Sequence, residues 1–122
     1  MSTPAPLKAQ LDAALRKAAS VWVQPDGYPT RLVWALWTSR GPLAGSLLVA
    51  TGGTEQEVPG LVDGAAVTVV VARPGTRSRL ASVRTIASVV TPDEVTTAAL
   101  AAARRNAAPG WSTVLALPLL GG

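Results

Sequence analysis

The segment Ser20–Trp37, SVWVQPDGYPTRLVWALW, constrains the fold more than any other part of this chain. Its first half alternates valine with Trp22, which is the two-residue period of a strand whose two faces differ. Pro25-Asp26-Gly27 then supplies a fixed φ, a short polar side chain and a residue that tolerates positive φ, so it predicts a tight turn. The stretch after the turn is extended and apolar on both faces except for Arg31. The segment therefore predicts a β-hairpin whose second strand is covered by protein on both sides.

Composition limits the chemistry that the chain can perform. We expect the 122 residues to form a single domain, 1–122, with residues 1–5 disordered. Histidine and cysteine are both absent, which excludes imidazole bases, thiolate nucleophiles, disulfides and nearly every zinc, copper or haem site. We therefore expect no metal. Phenylalanine is absent too, so valine, leucine, alanine and the four tryptophans are expected to fill the interior.

The excess of basic over acidic residues has an ordinary explanation. Eleven basic and seven acidic residues give a net charge of +4, and the arginines are spread over several segments. No aromatic residue is interleaved with the densest group of arginines, although stacking on nucleic acid needs one. We interpret the arginines as solvated ends of hairpins and helices and expect no nucleic-acid partner. The chain shows neither a signal-peptide core nor an apolar run of membrane-span length, so we expect a cytoplasmic protein without a membrane partner.

Periodicity and turn residues predict an order of mostly extended elements. We expect helices over 6–19 and from the N-cap Thr91 to 107, and, besides the hairpin, strands over 46–51, 65–73, 77–90 and 112–117. Short turns join the strands, and no linker or repeat is present. This pattern predicts a mainly β fold, an antiparallel barrel with helices at its ends.

The same order resembles that of the pyridoxamine 5'-phosphate oxidase-like, FMN-binding split β-barrel proteins. The resemblance covers residues 7–117, and it is carried by LDAALRKAASVWVQPDGYPTRLVWALW, by LLVATGGTEQEVPGLVDGAAVTVVVARPGTRSRLASVRTIASVV and by the helix before Trp111. It implies a six-stranded antiparallel split β-barrel with flanking helices. It also implies a homodimer in which basic and hydroxyl groups hold the flavin phosphate between two barrels.

The resemblance places a cofactor site on the second strand and on the loop after the third. The residues are Arg31, Thr51, Gly52, Gly53 and Thr54, with Trp34 as a platform for the flavin ring. Each also has a plainer interpretation: the arginine pairs with a carboxylate at the barrel rim, the tryptophan fills the core or a dimer interface, and the glycine run is only a turn. The loop departs from the family pattern, because Glu55 and Glu57 stand where basic residues usually face the phosphate.

Two functions remain open from the sequence. In the first, the protein is an FMN- or deazaflavin-dependent oxidoreductase with a weakened phosphate site, in which the flavin supplies the chemistry. In the second, it is a non-catalytic dimeric barrel that binds a small molecule or a protein partner without flavin. The glutamates favour the second, because like charges 4 Å apart repel by about 1 kcal/mol even in water. Catalytic residues are not identifiable, since no hydroxyl has a histidine to activate it.

Overall fold

Seven strands and two helices make up the part of the chain that the computed structural model describes, which is residues 7–15, 18–38, 41, 43–52, 57–72, 78–104 and 112–120. In chain order they are α1 (Leu7–Ala14), β1 (Ala18–Pro25), β2 (Arg31–Thr38), β3 (Ser46–Thr51), β4 (Ala66–Ala72), β5 (Arg79–Ile86), β6 (Ser88–Val90), α2 (Glu94–Arg104) and β7 (Thr113–Pro118). The predicted mainly β fold is confirmed. The expected disorder of residues 1–5 lies outside the described residues.

The strands form one antiparallel sheet in the order β5-β4-β1-β2-β3-β7-β6. The two strands at the ends of this order, β5 and β6, are consecutive in the chain and separated only by Ala87. Ala87 is held in place by two backbone bonds of 2.8 Å, because its N–H donates to Ala65 and its carbonyl accepts from Gly64. Because β5 pairs with β4 and β6 with β7, the sheet curls into a barrel-like shape in which β5 also contacts β7.

The inner face of the curled sheet holds most of the core. Alternate residues of each strand point inward, which is the period that a half-buried strand requires. Together with α1 and the 58–61 turn they form the inner cluster: Leu11, Leu15, Val21, Val23, Val33, Ala35, Leu47, Val49, Val58, Leu61, Val67, Val69, Val71, Ala87, Leu115, Leu117 and Leu119. The predicted helix over 6–19 is too long, because α1 ends at Ala14 and Ala18 already belongs to β1, where it pairs with Leu36 of β2.

A smaller outer cluster lies where α2 packs on the other face of the sheet. Its buried members are Leu48, Ala50, Leu100, Val114 and Ala116, with Trp34, Leu36, Leu43 and Val90 packed against them. Strands β3 and β7 are covered on both faces and are therefore buried almost without interruption. On β2 the covering is incomplete, since Leu32 is 54% exposed. The prediction that both faces of the second strand are covered is correct for most of β2 and wrong at Leu32.

The tryptophans do not all fill the interior as expected. Trp22 lies on the outer face of β1, away from α2, and is 45% exposed. Trp34 and Trp37 are half-buried. The indole Nε1–H of Trp37 donates to Asp12 Oδ1 at 2.7 Å, which ties α1 to β2. Trp111 lies outside the described residues. Branched aliphatic residues therefore form the core, and tryptophan borders it.

The second helix begins later than the sequence suggested. Asp93, rather than Thr91, is the N-cap: its Oδ1 accepts from the backbone N–H of Thr96 at 2.7 Å, and its carbonyl accepts from Thr97 at 2.8 Å. The side-chain bond satisfies the N–H of Thr96, which has no carbonyl partner inside the helix, and the bond from Thr97 is the first of the helix's own backbone bonds. The hydrogen bonds from Thr96, above all the one from its backbone N–H, lower the pKa of the Asp93 carboxyl group.

Candidate functional site

Two of the predicted cofactor residues lie at the same end of the sheet. Arg31 begins β2 and is exposed, whereas Thr51 ends β3 and is half-buried. Since β2 and β3 run antiparallel, the beginning of one strand lies beside the end of the other. Arg31 alternates in phase with the inward-facing Val33, and Thr51 with the inward-facing Val49. The structure therefore brings these two side chains to one end of the inner face.

Trp34 does not join them. It belongs to the outer cluster, where it packs with Leu48 and Leu100 on the face opposite to Arg31 and Thr51. A ring bound beside Thr51 would therefore find Trp34 on the far side of the sheet. Gly53, Thr54 and Glu55 lie outside the described residues.

A small cavity opens at the end of β3, and we call it the β3-end cavity. It measures about 250 Å³ and is lined by Thr51, Gly52, Glu57, Val58 and Pro59. Gly52 has a φ of +81°, a conformation that favours glycine, and a Cβ there would lie 2.0 Å from Ser112 Oγ, so that hydroxyl group would have to turn away. The Ser112 N–H donates to the Thr51 carbonyl at 3.0 Å. The cavity therefore presents one hydroxyl group and one carboxylate.

A larger depression crosses the outer face of β1, β4 and β5, and we call it the sheet groove. Its volume is about 740 Å³, and its lining residues are Trp22, Gln24, Thr30, Thr68, Val70, Ala72, Arg79 and Ser82. The cross-strand pairs Trp22–Val70, Val70–Ser82 and Ala72–Arg79 place small side chains between two large ones. No member was singled out from the sequence as a site residue. The available signal was the outward position of Trp22 between two inward valines.

The turn between β1 and β2 is tied to β5 by an ion pair near this groove. Arg84 donates from Nη1 to Asp26 Oδ1 at 3.2 Å and from Nη2 to Oδ2 at 2.8 Å, and Nη1 also donates to Thr68 Oγ1 at 3.4 Å. The hydrogen bond from Arg84 lowers the pKa of the Asp26 carboxyl group below its ordinary value. Asp26 therefore stays ionised, and Arg84 balances its charge.

Comparison of this chain with models of protein families, with curated proteins and with solved structures found no match. The split-barrel resemblance consequently rests on the order of the elements and on the quoted segments. Across the described ranges, no three acidic side chains are grouped so that they could hold a metal ion. Neither of the two described helices has the length and apolar character needed to cross a membrane.

Proposed function

We propose that this chain is a homodimeric, non-catalytic barrel of the split-barrel type that binds a small molecule without flavin. In this proposal β5 and β6 count as one strand bent at Ala87, so that the split barrel has six strands. The continuity of the two strands supports this assignment, because a single residue separates them. The barrel then serves as a rigid frame, and its surface grooves recognise the ligand.

The observation that carries the proposal is the presence of Glu57 in the β3-end cavity beside Thr51 and Gly52. The resemblance expects the flavin phosphate at this end of the barrel. A phosphate there would meet a carboxylate, and each such repulsion at 4 Å costs about 1 kcal/mol even at the dielectric constant of water. The position of Trp34 in the outer cluster also removes the expected platform for the flavin ring.

Calorimetric titration with FMN tests the proposal. The unmodified protein is expected to bind FMN no more tightly than micromolar and to be colourless when purified from cells. Glu57→Lys should strengthen any FMN binding by about 2 kcal/mol, since it removes one repulsion and adds one attraction of similar size. That corresponds to roughly 30-fold. Glu94→Lys on α2, with the same change of charge, serves as the matched control and should leave the affinity unchanged.

A second function, an FMN- or deazaflavin-dependent oxidoreductase, is favoured by one observation. Arg31 and Thr51 lie at the same end of the inner face, and the resemblance assigns both to the flavin phosphate. Submicromolar binding of FMN to the unmodified protein, or a yellow protein after purification, would overturn the flavin-free proposal in favour of this one. Loss of that binding in Arg31→Gln would then identify the phosphate contact.

A further inference from the structure

The floor and walls of the sheet groove differ in size and chemistry. The floor is made of the small side chains Thr68, Val70, Ala72 and Ser82 on two adjacent strands, whereas Trp22 stands on one side and Arg79 on the other. The two large residues are two strands apart and offset by two residues along the strands. With ordinary strand spacing their Cα atoms are about 12 Å apart. This span leaves room for a ring system between them.

An irregularity in the pairing of β4 with β5 aims Arg79 into the groove. The register shifts between Val71 and Ala72, so Ala72 pairs with Arg79. Regular alternation from the outward Ser82 would have turned Leu80 outward, yet Leu80 packs against the inner cluster and Arg79 lines the groove. Bulges of this kind are common next to binding sites, where they redirect a side chain. The register shift therefore places the positively charged side chain of Arg79 in the groove.

The charge of the groove favours an anion. Arg79 is its only charged lining residue among those described, and no carboxylate lines it. No ion pair within the described part of the chain involves Arg79. Asp26 is joined to the lining through Arg84, which contacts Thr68 and balances the charge of Asp26. Hydroxyl groups of threonine and serine and the amide of Gln24 provide further donors.

The other wall favours an aromatic ring. Trp22 is 45% exposed and lines the groove beside small neighbours, so part of its indole is open to a ligand. Offset stacking on tryptophan is favourable beyond the area that it buries, and it tolerates many ring types. Val70 and Ala72 add apolar contact below. Stacking and charge therefore act at opposite sides of one groove.

We propose that the sheet groove binds a planar aromatic ligand with one anionic group, with its ring stacked on Trp22 and its anion bound by Arg79. This inference rests on the proposed flavin-free binding function and names its site and ligand class. It is independent of the β3-end cavity, because the two share no lining residue.

The experiment compares 1-naphthyl phosphate, 1-naphthol and inorganic phosphate by calorimetry with the full chain. The aromatic anion should bind about tenfold more tightly than the neutral alcohol, since a charge-assisted bond is added. Inorganic phosphate alone should give no measurable heat. In parallel, the indole N–H signals of the four tryptophans are followed by NMR, with the Trp22 signal identified by its absence in Trp22→Thr. Only that signal should shift strongly on titration.

Variants separate the two halves of the site. Arg79→Gln should bring 1-naphthyl phosphate down to the affinity of 1-naphthol, whereas Arg104→Gln on α2, with the same loss of charge, should change neither. Trp22→Thr should weaken both aromatic ligands, and Trp22→Tyr should restore most of the binding. Arg79 is exposed, so its replacement tests the proposal in a folded protein even if Trp22→Thr unfolds.

The opposite results would overturn the inference. These are equal affinity for the two naphthyl compounds, an unchanged Trp22 signal, or an Arg79→Gln variant that behaves as the unmodified protein. A fourth is a Trp22→Thr variant that alters the oligomer mass while no ligand binds, because the face would then be a contact between copies. Tight FMN binding that responds only to Glu57→Lys would overturn the proposed flavin-free function at the other cavity, so the two failures are distinguishable.

Discussion

Replacing Leu100 with alanine tests how α2 is held on the sheet. Leu100 of α2 is fully buried in the outer cluster, which also contains the strand residues Leu48 and Val114. Removing the equivalent of three CH₂ groups at about 0.8 kcal/mol each loses about 2.4 kcal/mol of burial. The cavity left behind raises the expected loss of unfolding free energy to about 3–4 kcal/mol. Since typical domains are stable by roughly 5–15 kcal/mol, the variant should fold but lose a large part of its stability.

Urea unfolding followed by tryptophan fluorescence measures this loss, and Trp34 in the same cluster should report it. With a denaturant dependence of about 1–3 kcal/mol per molar, the midpoint should fall by about 1–4 M. Val95→Ala on the same helix is the control, because Val95 is 79% exposed and alanine favours helix by up to about 0.7 kcal/mol. If both variants unfolded at the same midpoint, α2 would not be packed through Leu100, and the account of the outer cluster would be refuted.

Three further outcomes are expected. Because the pKa of Asp26 is lowered in the folded protein, its pairing with Arg84 stabilises the fold at pH values above the ordinary pKa of 3.8. This stabilisation is lost as the pH falls through the lower pKa of the folded state. Arg84→Gln should therefore lower the thermal midpoint at neutral pH but not in strong acid; an equal loss in acid would contradict this. Gly60→Ala should destabilise more than Gly64→Ala in urea, because both have positive φ but only the Cβ at Gly60 would lie 2.3 Å from Tyr28 Cδ2. Equal losses would mean that this contact is absent. Light scattering should give twice the chain mass of 12.4 kDa, and Leu32→Lys, which places a charge on the exposed part of β2, should reduce the mass to that of the monomer. A monomer mass for the unmodified protein would contradict the proposed dimer.

The sequence predicted those parts of the fold that depend on local chemistry. The turn at Asp26-Gly27 and the alternation around Trp22 both follow from residue types a few positions apart, and both are present. The cap of α2 was misplaced because Thr91 and Asp93 are both good capping residues, and only the backbone path decides between them. Of the predicted cofactor residues, Thr51 and Gly52 line one cavity and Arg31 begins β2 at the same end of the sheet, while alternation along β2 sends Trp34 to the other face.

The sheet groove was beyond the reach of sequence patterns for a physical reason. Simple alternation along 77–90 assigns Arg79 to the face of Val83, which is the inner face, and no residue in the segment announces the register shift. The shift accompanies the packing of Leu80 against the inner cluster. Pairing between strands that are distant in sequence determines which of the dispersed arginines lines a cavity. Composition cannot distinguish one arginine from another.

The position of β7 has a consequence for how the chain folds during its synthesis. This strand follows every other described element in sequence, yet it lies between β3 and β6 and supplies residues to both clusters. Until the ribosome releases it, β3 has an open edge and two apolar faces, and its most distant pairings cannot form. Contacts between segments so far apart in sequence make folding slow, and exposed strand edges promote aggregation. The nascent chain therefore depends on β7 to close the sheet, and the edge of β3 is open to other extended segments until β7 pairs with it.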